Sequence, residues 1–238
     1  VRDNSNFNDV AYLLSDKSNL LVLSYTNELS SVDTTTGNSR LFKEWRSFDA
    51  HNLNSKFSYL NGSLWFIDAN QQLQGFDLHS ELFFTPDEFK NIKANAFNSV
   101  ENKLLVATND NRILEYDLTT QTSTEYSIPT GSNFSSNSTT SIAKSGDWLL
   151  LGSQNQGALL FSSVNNNDFQ YFDENTGLGN SFIAEIIVDN TGNFWLSTNA
   201  GITSITPSSK LLRNYSAEYG IKNDEYTSNS SAVSANGR

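Results

Sequence analysis

The sequence predicts an all-β fold: a β-propeller, present as an incomplete ring of about five four-stranded blades with the start of a sixth. Three observations predict it. A unit of about 40 to 45 residues recurs along the chain, the period of a propeller blade. The second apolar run of each unit is hydrophobic on both faces, as a strand between two stacked sheets must be. Only 17% of residues are charged, while Asn, Ser and Thr are abundant, a balance that favours turns and short strands over long surface helices.

The unit is clearest from Phe182 to Ser216, where an apolar run leads to Asp189, a Gly-Asn turn, a second apolar run around Trp195, a Thr-Asn-Ala-Gly turn and two more short β segments. Blade one, approximately residues 9–50, opens with NFNDVAYLLSD as its inner strand and continues through SNLLVLSYTNELSSVD around Leu21. Blade two, 51–90, centres on Trp65 in GSLWFIDANQQLQGFD, and blade three, 91–130, on Leu105 in NKLLVATNDNRILEYD, with Thr122 to Ile128 as an outer strand alternating toward solvent. Blade four, 131–180, centres on Leu150 in DWLLLGSQNQGALLF; blade five, 181–230, on Trp195; residues 231–238 begin a further blade.

Aligned on these anchors, Ser24, Asp68, Thr108, Ser153 and Thr198 share one column, and Gly157 aligns with Gly201. Trp65 and Trp195 read as packing residues filling the wedge between blades, where truncation to Ala costs about 3 to 5 kcal/mol. Gly192, Asn193 and Gly201 read as turn residues needing positive φ, and Asp189 as a carboxylate accepting from turn amides.

Composition also narrows function. A formal net charge of −11 leaves no basic stripe for a phosphate backbone or an anionic membrane surface, so neither nucleic acid nor membrane is an expected partner of this segment. With no cysteine there is no disulfide, thiolate nucleophile or cysteine zinc site, and His51 and His79 alone do not make a multi-histidine centre or a serine triad. No catalytic residue, metal or cofactor is therefore expected. Gly177 to Ser181, GLGNS, reads as a turn between blades rather than a phosphate cradle, and the acid pairs Asp173–Glu174 and Asp224–Glu225 as solvated loop residues. No run of about 18 to 20 apolar residues offers a helical membrane span. With no Met in the chain, the expectation is a processed or excised piece whose terminal blades lack a neighbour and self-associate through exposed edges.

From Glu174 to Arg238 the sequence resembles the regulator-propeller repeat of sensor halves in bacterial hybrid two-component systems and related transmembrane regulators. The matching elements are Gly177-Leu178, Asp189, Gly192-Asn193, Trp195, Thr198 and Gly201, followed by Gly220-Ile221 and Glu225-Tyr226. The resemblance implies a periplasmic sensor anchored by a membrane span, with a kinase or other output domain beyond it.

The turns between second and third strands are expected to open on the rim that carries the links entering the inner strands. They hold Asn109, Asp110 and Asn111 in blade three, Asn155 and Gln156 in blade four, and Asn199 in blade five. Amides donate and accept, which suits the hydroxyls of a glycan or other polyol better than a phosphate. The function expected is ligand sensing without catalysis; a propeller enzyme of the lyase or glycosidase class and a protein-interaction scaffold are the alternatives.

Overall fold

The structure, a computed structural model, describes residues 10–16, 19–24, 26–47, 56–221 and 226. His51, the Asp224–Glu225 pair and the expected start of a sixth blade lie outside them. Among the described residues the regular elements are strands and short 3₁₀ turns, with no α-helix. The strands form five four-stranded antiparallel sheets, each in simple sequential order.

The first sheet comprises β1 (Val10–Asp16), β2 (Asn19–Ser24), β3 (Leu29–Asp33) and β4 (Ser39–Phe42). The second comprises β5 (Ser58–Leu60), β6 (Ser63–Ile67), β7 (Leu73–Asp77) and β8 (Leu82–Phe84). The third comprises β9 (Ala94–Val100), β10 (Lys103–Thr108), β11 (Arg112–Asp117) and β12 (Thr122–Ser127). The fourth comprises β13 (Thr139–Ser145), β14 (Trp148–Ser153), β15 (Ala158–Ser162) and β16 (Phe169–Phe172). The fifth comprises β17 (Ile183–Val188), β18 (Phe194–Thr198), β19 (Gly201–Thr206) and β20 (Leu211–Tyr215). Two compact units divide between Lys93 and Ala94, the first holding two sheets and the second three.

Within the second unit the leading strands lie side by side, β9 with β13 and β13 with β17, and the sheets meet face to face as neighbouring blades do. One apolar layer joins the third and fourth sheets through Leu105, Ile113, Leu149, Leu151, Leu159 and Phe161. Another joins the fourth and fifth through Leu150, Leu160, Ile186, Phe194, Leu196 and Ile205. Strands β10 and β14 are buried on both faces, as their unbroken apolar runs require. Strand β18 departs from that expectation: Phe194, Leu196 and Thr198 are buried while Trp195 and Ser197 between them are partly exposed. Trp195 therefore does not fill a wedge between described sheets. Its ring stacks on Tyr215 at 5.4 Å, and its indole N–H donates to Asp189 at 2.7 Å.

In the first unit the core is aromatic. Trp45, in the 3₁₀ turn Glu44–Ser47 that follows β4, is fully buried and packs edge-on against Phe66 and Phe76, at 5.4 and 5.3 Å between centroids. Phe89, Phe134 and Leu178 are likewise buried in the links that follow the fourth strands of the next three sheets. Each link thus turns one large apolar side chain inward, and Phe134 and Leu178 belong to the two layers of the second unit.

Turn chemistry repeats with the sheets. Ser153 Oγ accepts from the Gln156 amide at 2.6 Å and donates to the Gly157 carbonyl at 3.0 Å; Thr198 does the same with Ala200 and Gly201. Thr108 clamps Arg112, Ser24 accepts from Glu28, and Asp68 accepts from Asn70 and Gln72. Gly157 and Gly201 sit at φ +75° and +99°, where a Cβ would lie 2.1 Å from the Phe172 carbonyl and 2.3 Å from that of Tyr215. Gly192 also has positive φ, but Asn193 does not; instead its amide donates to Asp189.

Register equates positions across sheets. The anchors Leu21, Leu105 and Leu150 pair with Ser31, Glu115 and Leu160 on the neighbouring third strands. Two residues before each anchor stand Asn19, Lys103 and Trp148, and the adjoining sheet contributes Tyr59, Lys144 and Val188 from equivalent points of its first strand. Three wedges of one geometry thus carry three chemistries: Asn19, Ser31 and Tyr59 in the first unit, then Lys103, Glu115 and Lys144, then Trp148, Leu160 and Val188.

Candidate functional site: the turn rim of the second unit

The turns between second and third strands are bonded to links that enter the first strand of their own or the next sheet, which places both on one rim. Asn111, at φ +63°, accepts through Oδ1 from the Ser136 amide and hydroxyl at 3.0 and 2.9 Å, while its own amide donates to Ser136 Oγ at 3.1 Å. Gln156 Oε1 accepts from the Ser135 amide at 3.0 Å and from Ser138 Oγ at 2.7 Å. Tyr171 donates its hydroxyl to the Gln156 carbonyl, and the Gly157 amide donates to the Ser181 carbonyl at 2.9 Å. Burial raises the pKa of the Tyr171 hydroxyl, with the Asp173 carboxylate adding to the effect.

These bonds sort the six candidates from the sequence. Asn111 and Gln156 are committed to fixing the rim. Asp110 is exposed but engaged: it accepts from Thr108 Oγ1 and from Arg112 Nε at 2.9 Å, and Arg112 also reaches Glu125 at 3.1 Å. The Arg112 and Thr108 hydrogen bonds hold the Asp110 carboxyl below its ordinary pKa. Asn109, Asn155 and Asn199 remain exposed, and their side chains make no hydrogen bond among the described residues. The rim therefore presents three amides, one per sheet, at equivalent turns.

At the opposite end of the third and fourth sheets lies a group that the sequence pattern does not single out. Glu115, on β11, is buried and accepts from Lys103 Nζ at 2.7 Å, from Lys144 Nζ of the next sheet, and from the Tyr126 hydroxyl at 3.2 Å. Burial pushes the Glu115 carboxyl up, but the Lys103 and Lys144 hydrogen bonds more than offset it and leave it below its ordinary value. Lys144, desolvated in the same place, is nonetheless held above its ordinary value by Glu115 and Tyr126. A cavity of about 260 Å³ opens beside these residues. A lone Glu between strand residues gives no signal; register with Lys103 and Lys144 is what reveals it.

Other sequence expectations fall on loop structure. Asp173 caps the 3₁₀ turn Glu174–Thr176, Gly177 closes it at φ +103°, and Glu174 accepts from the Ser181 amide at 3.0 Å. His79 is exposed. Asp189 accepts from the Thr191 and Asn193 amides at 2.9 and 3.0 Å. Burial would raise its pKa, but the bonds from Trp195, Thr191 and Asn193 win and bring it to about 2. No group of three His, Asp or Glu side chains suited to a metal occurs among the described residues.

Sheets of this order, with neighbouring sheets packed face to face and turns joined to links on one rim, define a chain of propeller type. The fold is shared with the sensor propellers that its C-terminal part resembles. The extracellular domain assigned to a hybrid two-component system of B. thetaiotaomicron superposes with a TM-score of 0.61 at 16% identity over 87% of this chain. That assigned to a one-component system of the same organism gives 0.56 at 18% over 87%. PorZ, a surface component of the type-IX secretion system of Porphyromonas gingivalis, gives 0.57 at 12% over 87%. The chain spans 30, 27 and 27% of those three chains. No protein-family model and no curated protein matches the sequence.

Proposed function

We propose that this chain is part of the signal-input propeller of a two-component-type receptor, lying in the periplasm, and that it reads a glycan or other polyol through its turn rim without doing chemistry itself. The observation that carries the reading is the division of labour at the rim. Asn111 and Gln156 fix the turns, while Asn109, Asn155 and Asn199 stand exposed in equivalent turns with both amide functions open. Rigid presentation of uncommitted amides is what recognition of hydroxyls at low entropic cost requires. The fold shared with extracellular sensor domains supports the setting.

In this reading the five sheets are successive blades of a ring that further blades complete. The half-exposed Trp195 and Ile202 on the outer face of the fifth sheet support it, since the matching faces of β10 and β14 are covered. Apolar faces of that kind also favour self-association of the isolated segment.

The test is the triple replacement of Asn109, Asn155 and Asn199 by Ala in the intact receptor. Response to ligand should be lost while the melting temperature moves by less than about 2 °C, surface changes at such sites being within about 0.5 kcal/mol. An unimpaired response in the folded variant sinks the reading.

A further inference from the structure

The first unit holds a cavity of about 320 Å³ in the wedge between its two sheets, at the end opposite the turn rim. Its walls include the wedge positions Asn19, Ser31 and Tyr59, the anchor Leu21, and Phe42 and Leu78. The two equivalent wedges of the second unit are occupied differently. One is satisfied by its own charges, since Glu115, Lys103, Lys144 and Tyr126 bond to each other. The other is closed by Trp148, Leu160 and Val188, with Leu160 fully buried. Of these three wedges, that of the first unit alone presents neutral polar side chains at the same register positions against an open volume, the cavity of about 260 Å³ beside Glu115 being lined by ionised side chains.

We propose that this wedge is a second binding site, for a single neutral sugar ring, independent of the turn-rim reading. A pyranose offers an apolar C–H face and a girdle of hydroxyls. Leu78 and the aromatic ring of Tyr59 match the first, with Leu21 and Phe42 among the buried wall residues, while Asn19 and Ser31 match the second. The side chains of Asn19 and Ser31 make no hydrogen bond among the described residues. Of the two ionisable wall residues, Arg40 lies 4.8 Å over the Phe42 ring and pairs with Glu81 at 2.6 Å, and His79 is exposed to solvent, so a neutral ligand is favoured over an acidic one. The volume lies at the lower end of the range for small-ligand sites, about 300 to 1,000 Å³, and admits one ring.

The experiment is saturation-transfer NMR on the full 238-residue chain with D-glucose, D-galactose and D-mannose separately, and with D-glucuronate as the charged counterpart. At least one neutral sugar should receive transfer, with a Kd on the order of 1 to 10 mM for so small a ligand. Ser31→Leu, which installs the side chain found at the equivalent Leu160, should weaken binding at least about tenfold. Should that variant fail to fold, Asn19→Ala should weaken it severalfold. All of these measurements are made in the background of Asn109→Ala, Asn155→Ala and Asn199→Ala, where the rim no longer contributes, so failure at the rim and failure in the wedge are told apart. The proposal is overturned by no transfer to any neutral sugar, by an affinity left undiminished by Ser31→Leu or Asn19→Ala in folded protein, or by stronger transfer to glucuronate.

Discussion

Gly157 is the position at which one added methyl group should do most damage. At φ +75° an Ala costs about 1 to 2 kcal/mol for left-handed backbone, against which the stiffer unfolded chain offsets about 0.4 to 1 kcal/mol. The new Cβ would sit 2.1 Å from the Phe172 carbonyl, so that carbonyl or the Gly157 backbone must move by roughly 1 Å to reach an ordinary contact. The movement strains the Ala158–Phe172 pairing and the Gly157 to Ser181 hydrogen bond, worth about 1 kcal/mol each. A net loss of about 3 kcal/mol follows, which for a chain of this size lowers the melting temperature by about 6 to 12 °C. Gly177 is the control, because it has φ +103° and no atom within 4 Å of the point where a Cβ would stand, so Gly177→Ala carries only the backbone penalty. Thermal melts of the two variants beside the parent decide the matter. If Gly157→Ala melts no lower than Gly177→Ala, contact with Phe172 is not what requires glycine there.

Ser153→Ala removes a buried hydroxyl that holds Gln156 and Gly157, and should cost about 1 to 2 kcal/mol in urea unfolding; no change in midpoint would leave the clamp without energetic weight. Glu115→Gln should cost about 2 kcal/mol, discounted for the partial exposure of Lys103 and Lys144, whereas the pair Glu115→Leu with Lys144→Val, copying the Leu160–Val188 wedge, should fall within about 1 kcal/mol of the parent. A double variant less stable than Glu115→Gln would contradict the equivalence of the wedges. Asp189 titrates at about 2 in the folded chain against an ordinary 3.8, so its contribution is complete above 3.8 and is lost as pH falls through about 2. Asp189→Asn should therefore flatten the acid limb of stability between about pH 4 and pH 2, measured by urea midpoints; an unchanged limb assigns it to other carboxylates.

The five sheets were legible because the apolar second strands sit at one period and are bounded by residues with defined turn roles. The column Ser24, Asp68, Thr108, Ser153 and Thr198 marked the repeat in the sequence, and in the structure it is the set of side chains that clamps each second-to-third-strand turn. Trp45 was not legible as a core residue. It lies in a polar link with no strand periodicity, and its burial depends on two sheets closing over it. Within the candidate rim, residue type alone could not separate Asn109 from Asn111, since the difference is whether Ser136 arrives opposite the side chain. Glu115 escaped for a related reason: its partners are 12 and 29 positions away and meet only through register.

The three chemistries of the equivalent wedges bear on how such a chain finds its own order. Repeats of one length and one hydrogen-bonding pattern could dock on the wrong neighbour at little penalty, which is a known hazard of repeat proteins. A sheet carrying Lys144 is matched by the one carrying Glu115; set against Leu160, the same lysine would be buried without a partner. The fifth sheet's Val188 would in turn leave Glu115 and Lys103 facing an aliphatic wall. Polarity in these seams thus works as an address, telling each sheet which neighbour is its own while the shared backbone pattern stays silent on the question.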